Sequence, residues 1–204
     1  VRPKTLLRWW LSALAVFALA ALIGGPWLAR RPDLLEPVLE DVAGLVRPLE
    51  GRDFLLAAFF LAKNSSVAAM ALFAEQIVDF PCRFVRRVLE RLRLPGRLLR
   101  LLTWRPPWAG RLLPLAVLAL NGAVLAGVCA HLHASGISTR LLLAGLIPHG
   151  VPELSALFIA CGAGVAGAAA GEKKDLFLRV VLPLLAAAAV LEAWVTPAVM
   201  NLAG

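Results

Sequence analysis

Five apolar runs of about twenty residues each run through this chain, and no soluble fold of its length needs that many. A helix crosses about 30 Å of hydrocarbon with about 20 residues. The runs predict transmembrane helices over 9–28, 54–78, 112–133, 141–170 and 176–200. The composition agrees: the chain is 60% hydrophobic with a mean hydropathy of +0.80, against about 45–50% apolar residues in soluble domains. The expected fold is an all-α polytopic bundle forming one membrane domain over 1–204. The first run follows Arg2, Lys4 and Arg8, as a signal peptide would. It is long for a signal core and ends at Pro26-Trp27, a poor cleavage context, so it reads as a retained span.

Charge sorts the connections. The N-terminal tail carries three basic residues and no acid, and the first loop (29–52) four basic residues against five acids. The second loop (80–111) carries nine arginines against Glu90 alone, the third only Arg140, and the fourth (171–179) three basic residues against two acids. Lys/Arg-rich segments stay cytoplasmic. This predicts a multi-pass cell-membrane protein with its N-terminus and second and fourth loops cytoplasmic, and its first loop and C-terminus extracytoplasmic. The net charge of +8 therefore sets topology; no nucleic-acid motif accompanies it. Cys82, Cys129 and Cys161 lack disulfide or zinc-finger spacing.

Two loops carry helical patterns. In 80–111, Phe84, Val85, Val88, Leu89 and Leu92 recur at helical spacing among Arg83, Arg86, Arg87, Arg91 and Arg93; after Pro95-Gly96 a leucine run continues with Arg97 and Arg100. This predicts a basic amphipathic helix pair lying on anionic lipid, where each cationic side chain contributes about 1 kcal/mol. In 29–52, Leu34, Leu35, Val38, Leu39, Val42, Leu45 and Val46 form a stripe among Glu36, Glu40 and Asp41. It reads as a surface helix packed on the bundle, or as a docking face for an extracytoplasmic partner.

Four of the runs carry polar residues near their middles: Lys63-Asn64, Asn121, His149 with Glu153, and Glu192. A charge at bilayer depth costs about 2.5–3.5 kcal/mol on insertion scales, so such residues face a bundle interior. At a 1.5 Å rise per residue, Asn64, Asn121, His149, Glu153 and Glu192 fall in one slab roughly 10–18 Å below the surface. Pro148-His149-Gly150-Val151-Pro152-Glu153 puts two prolines in mid-run, and Pro152 denies a donor to the carbonyl of Pro148. A broken fourth helix is expected, with Glu153 in the first turn of its second half. Beyond it Gly162, Gly164, Gly167 and Gly171 offer a smooth packing face, on which a homodimer could also be built.

Several chemistries stay open for this polar centre. It reads as a structural lock, with Asn64 and Asn121 bonding between helices. Behind that reading stand a divalent metal site such as zinc, held by His149, Glu153 and Glu192, and a proton- or ion-coupling group in a small transporter. An intramembrane metal-dependent hydrolase is a further alternative. Against it, no His-Glu-x-x-His run exists, His131 and His133 sit at the outer end of the third run, and no Gly-x-Ser-x-Gly turn occurs. No catalytic residue is assigned.

The same residues resemble the stage II sporulation protein M family of integral membrane proteins. The resemblance rests on Asn64, on Asn121-Gly122, and above all on Pro148-His149-Gly150-Val151-Pro152-Glu153-Leu154, followed by Ala156, Ile159, Ala160 and Gly164. Leu191-Glu192-Ala193 before Thr196-Pro197 adds to it, so that it runs from Phe54 to the end of the chain. The family often has Phe or Ile where Pro152 stands. The resemblance implies a five-span, non-enzymatic scaffold. In spore formers the namesake works with extracytoplasmic peptidoglycan-degrading proteins during engulfment; members also occur in organisms that never sporulate.

Overall fold

The computed structural model describes residues 2–91, 106 and 108–204, and among them every regular element is helical. The described residues form seven main helices: α1 Pro3–Ala29, α2 Pro32–Val46, α3 Asp53–Leu72, α4 Ala74–Arg91, α5 Ala109–Ala134, α6 Thr139–Ala166 and α7 Ala170–Ala203. Five of them (α1, α3, α5, α6 and α7) are long and apolar enough to cross a membrane. The chain is a multi-pass membrane protein built as an all-α bundle.

Lipid supplies no hydrophobic drive between helices, so packing depends on how closely backbones approach. α1 and α5 run parallel and pack along most of their lengths. A methyl group on Gly122 of α5 would collide with the Phe17 carbonyl of α1. Gly164 of α6 sits as tightly against the Ala71 carbonyl of α3, and Gly162 against Trp9 of α1. Two of the four glycines expected to form an open packing face are thus covered within the chain itself. Gly167 serves differently: at φ +67° it ends α6 in a Schellman motif, with Gly167 N–H bonded to the Gly164 carbonyl and Ala168 N–H to that of Ala163. Gly171 meets nothing within 4 Å.

α6 is the hub. Phe158 packs edge-on against Trp10 and Phe17 of α1, with ring centroids 5.8 and 5.2 Å away. Ala156, Ala160 and Ala163 share a core with Ala68 and Leu72 of α3 and with Leu176, Val181 and Leu185 of α7. Ser138 starts the helix by accepting a 3.2 Å bond from the Leu141 N–H.

Several boundaries differ from the sequence expectation. The predicted break in the fourth helix does not occur: α6 is continuous across Pro148, Gly150 and Pro152 over 28 residues. Gly150 is buried at negative φ, so nothing there turns the chain. A proline frees a carbonyl one turn back but does not oblige the helix to stop when neighbours hold it. The irregularity lies in α7 instead. Its backbone widens into π-turns at Phe177–Val181 and Leu191–Val195, just before Pro183 and Pro197. The carbonyls four residues before these prolines, those of Arg179 and Ala193, fall inside the π-turns, where the hydrogen-bond ladder is already shifted.

The second span ends at Leu72 rather than 78, because Phe73 leaves helical geometry and α4 starts at Ala74. Arg83, Arg86, Arg87 and Arg91 lie on α4; Arg93, Arg97 and Arg100, with the second member of the expected basic pair, lie outside the described residues. The fourth loop shrinks to residues 167–169, so Lys173, counted in sequence as a loop charge, belongs to the first turns of α7. It is fully buried and donates a 3.5 Å hydrogen bond to Gln76 Oε1 of α4.

The close helix contacts are testable. Gly122→Ala and Gly164→Ala should each destabilise the detergent-solubilised protein by about 1–3 kcal/mol, the usual cost of overpacking. Gly44→Ala, in a helix and with nothing within 4 Å of the added methyl, should be neutral or stabilising by up to about 1 kcal/mol. Thermal unfolding followed by circular dichroism reads both.

Candidate functional site

α6 and α7 pack antiparallel, and their register builds the site. Gly145 lies against Met200, His149 against Thr196, and Glu153 beside Glu192. Each helix contributes residues at a spacing of four, about one turn, which keeps them on one face. Gly145, His149 and Glu153 form the α6 row; Glu192, Thr196 and Met200 form the α7 row. The small side at Gly145 lets the two helices close on each other around the polar pairs.

His149, Glu153 and Glu192 each offer a ligand atom within 4.8 Å of the other two, and all three side chains are half-buried. His149 Nδ1 lies 3.1 Å from the Thr196 hydroxyl, which is itself buried. From α3, the buried Asn64 side chain hydrogen-bonds the Glu153 carboxylate. The Lys63 side chain is exposed, yet its charge acts on His149, Glu153 and Glu192 together. Glu153 and Glu192 also act on each other. Glu192 stands in the Leu191–Val195 π-turn, a helix irregularity that frequently accompanies functional sites. Its Oε2 is buried and makes no hydrogen bond among the described residues.

Four of the five residues expected in the polar core therefore meet: Asn64, His149, Glu153 and Glu192. Asn121 does not join them through its amide, which donates a 2.8 Å bond to the Val117 carbonyl on its own helix. The expected interhelical bond is replaced by one along α5. His131 and His133 lie in the last turn of α5, and His133 Nδ1 lies 3.2 Å from the Ile137 carbonyl in the following turn. Thr196 enters the site as a partner that sequence reasoning quoted without assigning it a role. Its position four residues after Glu192 was the available signal.

The arrangement holds two carboxylates, an imidazole, an amide and a hydroxyl on three membrane helices. Such a set can share a proton, hold a cation or lock the helices together.

Neither a curated protein nor a solved structure matches the chain. A family model does match, over residues 109–197, from the start of α5 to the proline after Thr196. The match is shorter than the motifs implied, since α3 with Asn64 lies before it, but it takes in His149, Glu153, Glu192 and Thr196. Over these last three spans the chain is similar to the family described as Stage II sporulation protein M.

Proposed function

We propose that the chain is a non-enzymatic membrane scaffold that gathers partner proteins at the membrane, including extracytoplasmic, peptidoglycan-modifying ones. The family match over residues 109–197 supports a membrane protein related to a family named for sporulation. The observation that carries the scaffold reading is a second apolar stripe on α2. Leu35 and Leu39 turn toward the bundle, with Leu35 only 2% exposed. Leu34, Val38, Val42 and Leu45, at spacings of four, four and three, stand 44–61% exposed on the same short helix. Asp33, Glu36, Glu40 and Asp41 surround them. With the N-terminus cytoplasmic, as the basic residues direct, α2 lies on the extracytoplasmic side. An apolar row rimmed by acids suits a protein partner with an apolar ridge and basic flanks.

A photo-crosslinking residue at Val38 or Val42 in living cells should capture an extracytoplasmic cell-wall enzyme. Val42→Asp should remove that adduct while the protein still reaches the membrane. Adducts only to lipid or to a second copy of the chain would overturn the scaffold reading.

A second reading, a small ion- or metal-coupled transporter subunit, is favoured by the Glu153–Glu192 pair deep within two spans. In proteoliposomes, Glu153→Gln and Glu192→Gln would then abolish flux while the helical signal and elution volume stay unchanged. A scaffold predicts no flux in the unaltered protein.

A further inference from the structure

We infer that His149, Glu153 and Glu192 form a binding site for a divalent first-row transition ion, with zinc as its probe. This goes beyond the scaffold reading and holds whichever partner covers α2. The first support is geometric. Two ligands each about 2.1 Å from a common ion stand at most about 4.2 Å apart. The three ligand atoms already lie within 4.8 Å of one another, so small rotations of two flexible carboxylates close the set. The second is chemical: one imidazole with two carboxylate oxygens suits zinc, manganese or ferrous iron better than a hard-cation cage built from oxygen alone.

The third support is an orphaned ligand atom. Glu192 Oε2 is buried with no hydrogen-bond partner among the described residues, a state that is costly for an ionised oxygen unless a cation faces it. The fourth is the outer layer. The Thr196 hydroxyl against His149 Nδ1 leaves Nε2 as the coordinating atom when Nδ1–H donates to it. The Asn64 side chain orients Glu153. Metal-ligating histidines and carboxylates are ordinarily held in this way.

Charge balance points the same way. Two carboxylates and a divalent ion are neutral together, which is what a lipid-shielded site demands. Lys63 competes with the ion. Its ammonium acts on all three ligands, but its exposed side chain can swing away toward the interface. A metal displaces that ammonium and joins α6 directly to α7.

The test uses tag-free, full-length protein in detergent, stripped with chelator and then loaded with zinc or cobalt(II). The expected result is roughly one equivalent of zinc per chain, as a three-ligand site requires, and intense visible cobalt bands of a low-coordinate site. His149→Ala and Glu192→Gln should lose both, and the double change His131→Ala with His133→Ala should keep both. Lys63→Met should bind zinc severalfold more tightly, and it tests the site even where a ligand variant fails to fold. The proposal is overturned by substoichiometric uptake, by uptake that follows His131 and His133, by ligand variants that bind like the unaltered protein, by magnesium binding equal to zinc, or by a Lys63→Met affinity that is unchanged or weaker.

Discussion

Two carboxylates placed within the spans of a membrane protein must find polar or cationic partners there, and that requirement sets the relation of α6 to α7. Each costs about 2.5–3.5 kcal/mol at the centre of a span, and lipid offers no compensating partner. Sliding α7 by one turn along α6 would move Glu192 away from Glu153 and bring it level with His149 or with the apolar Leu157. Thr196 would lose His149 in the same step. The polar pairs therefore act as register pins between two surfaces that are otherwise mostly Ala, Gly and Leu. A single buried polar position is the best-attested way for a helix pair to choose one alignment among many.

The rest of the bundle is held by a different force. α1 and α5 meet through glycine contacts at Gly24, Gly25, Gly122 and Gly127, where an added methyl would stand within van der Waals contact or closer of the partner helix. Dispersion at short range replaces hydrogen bonding on this side. α6 joins the two regimes. Its Phe158 and Gly162 face the aromatic and small residues of α1, while His149 and Glu153 face α7.

Much of this was legible before any coordinates. Span number follows from run length and hydropathy, and the five runs emerge as five spans with ends shifted by one to six residues. The meeting of His149, Glu153 and Glu192 was legible because ionisable groups at depth have few other places to go. What stayed hidden depended on local geometry. Asn121 had two ways to satisfy its amide, between helices or along its own, and sequence does not distinguish them. Pro148 and Pro152 suggested a break, yet the helix carries both, while the π-turns arose before Pro183 and Pro197, where no break was expected. Lys173 read as a loop charge because hydropathy cannot see that Gln76 of α4 stands opposite it.

These two regimes determine where a change of state in the site is felt. A proton, an ammonium or a metal among His149, Glu153 and Glu192 alters the attraction between α6 and α7, and through Asn64 between α6 and α3. The α1–α5 contact contains none of these groups, so it has no reason to respond. Glu192 stands in the Leu191–Val195 π-turn, a departure from regular α-helical bonding of the kind often found at functional sites. The C-terminal turn of α7 is tied to the start of α6 by Arg140, whose guanidinium donates to the Leu202 carbonyl at 3.4 Å. That turn stands at the membrane face where α2 exposes its second apolar stripe. In a scaffold, that is the face at which a change inside the membrane would matter to a partner.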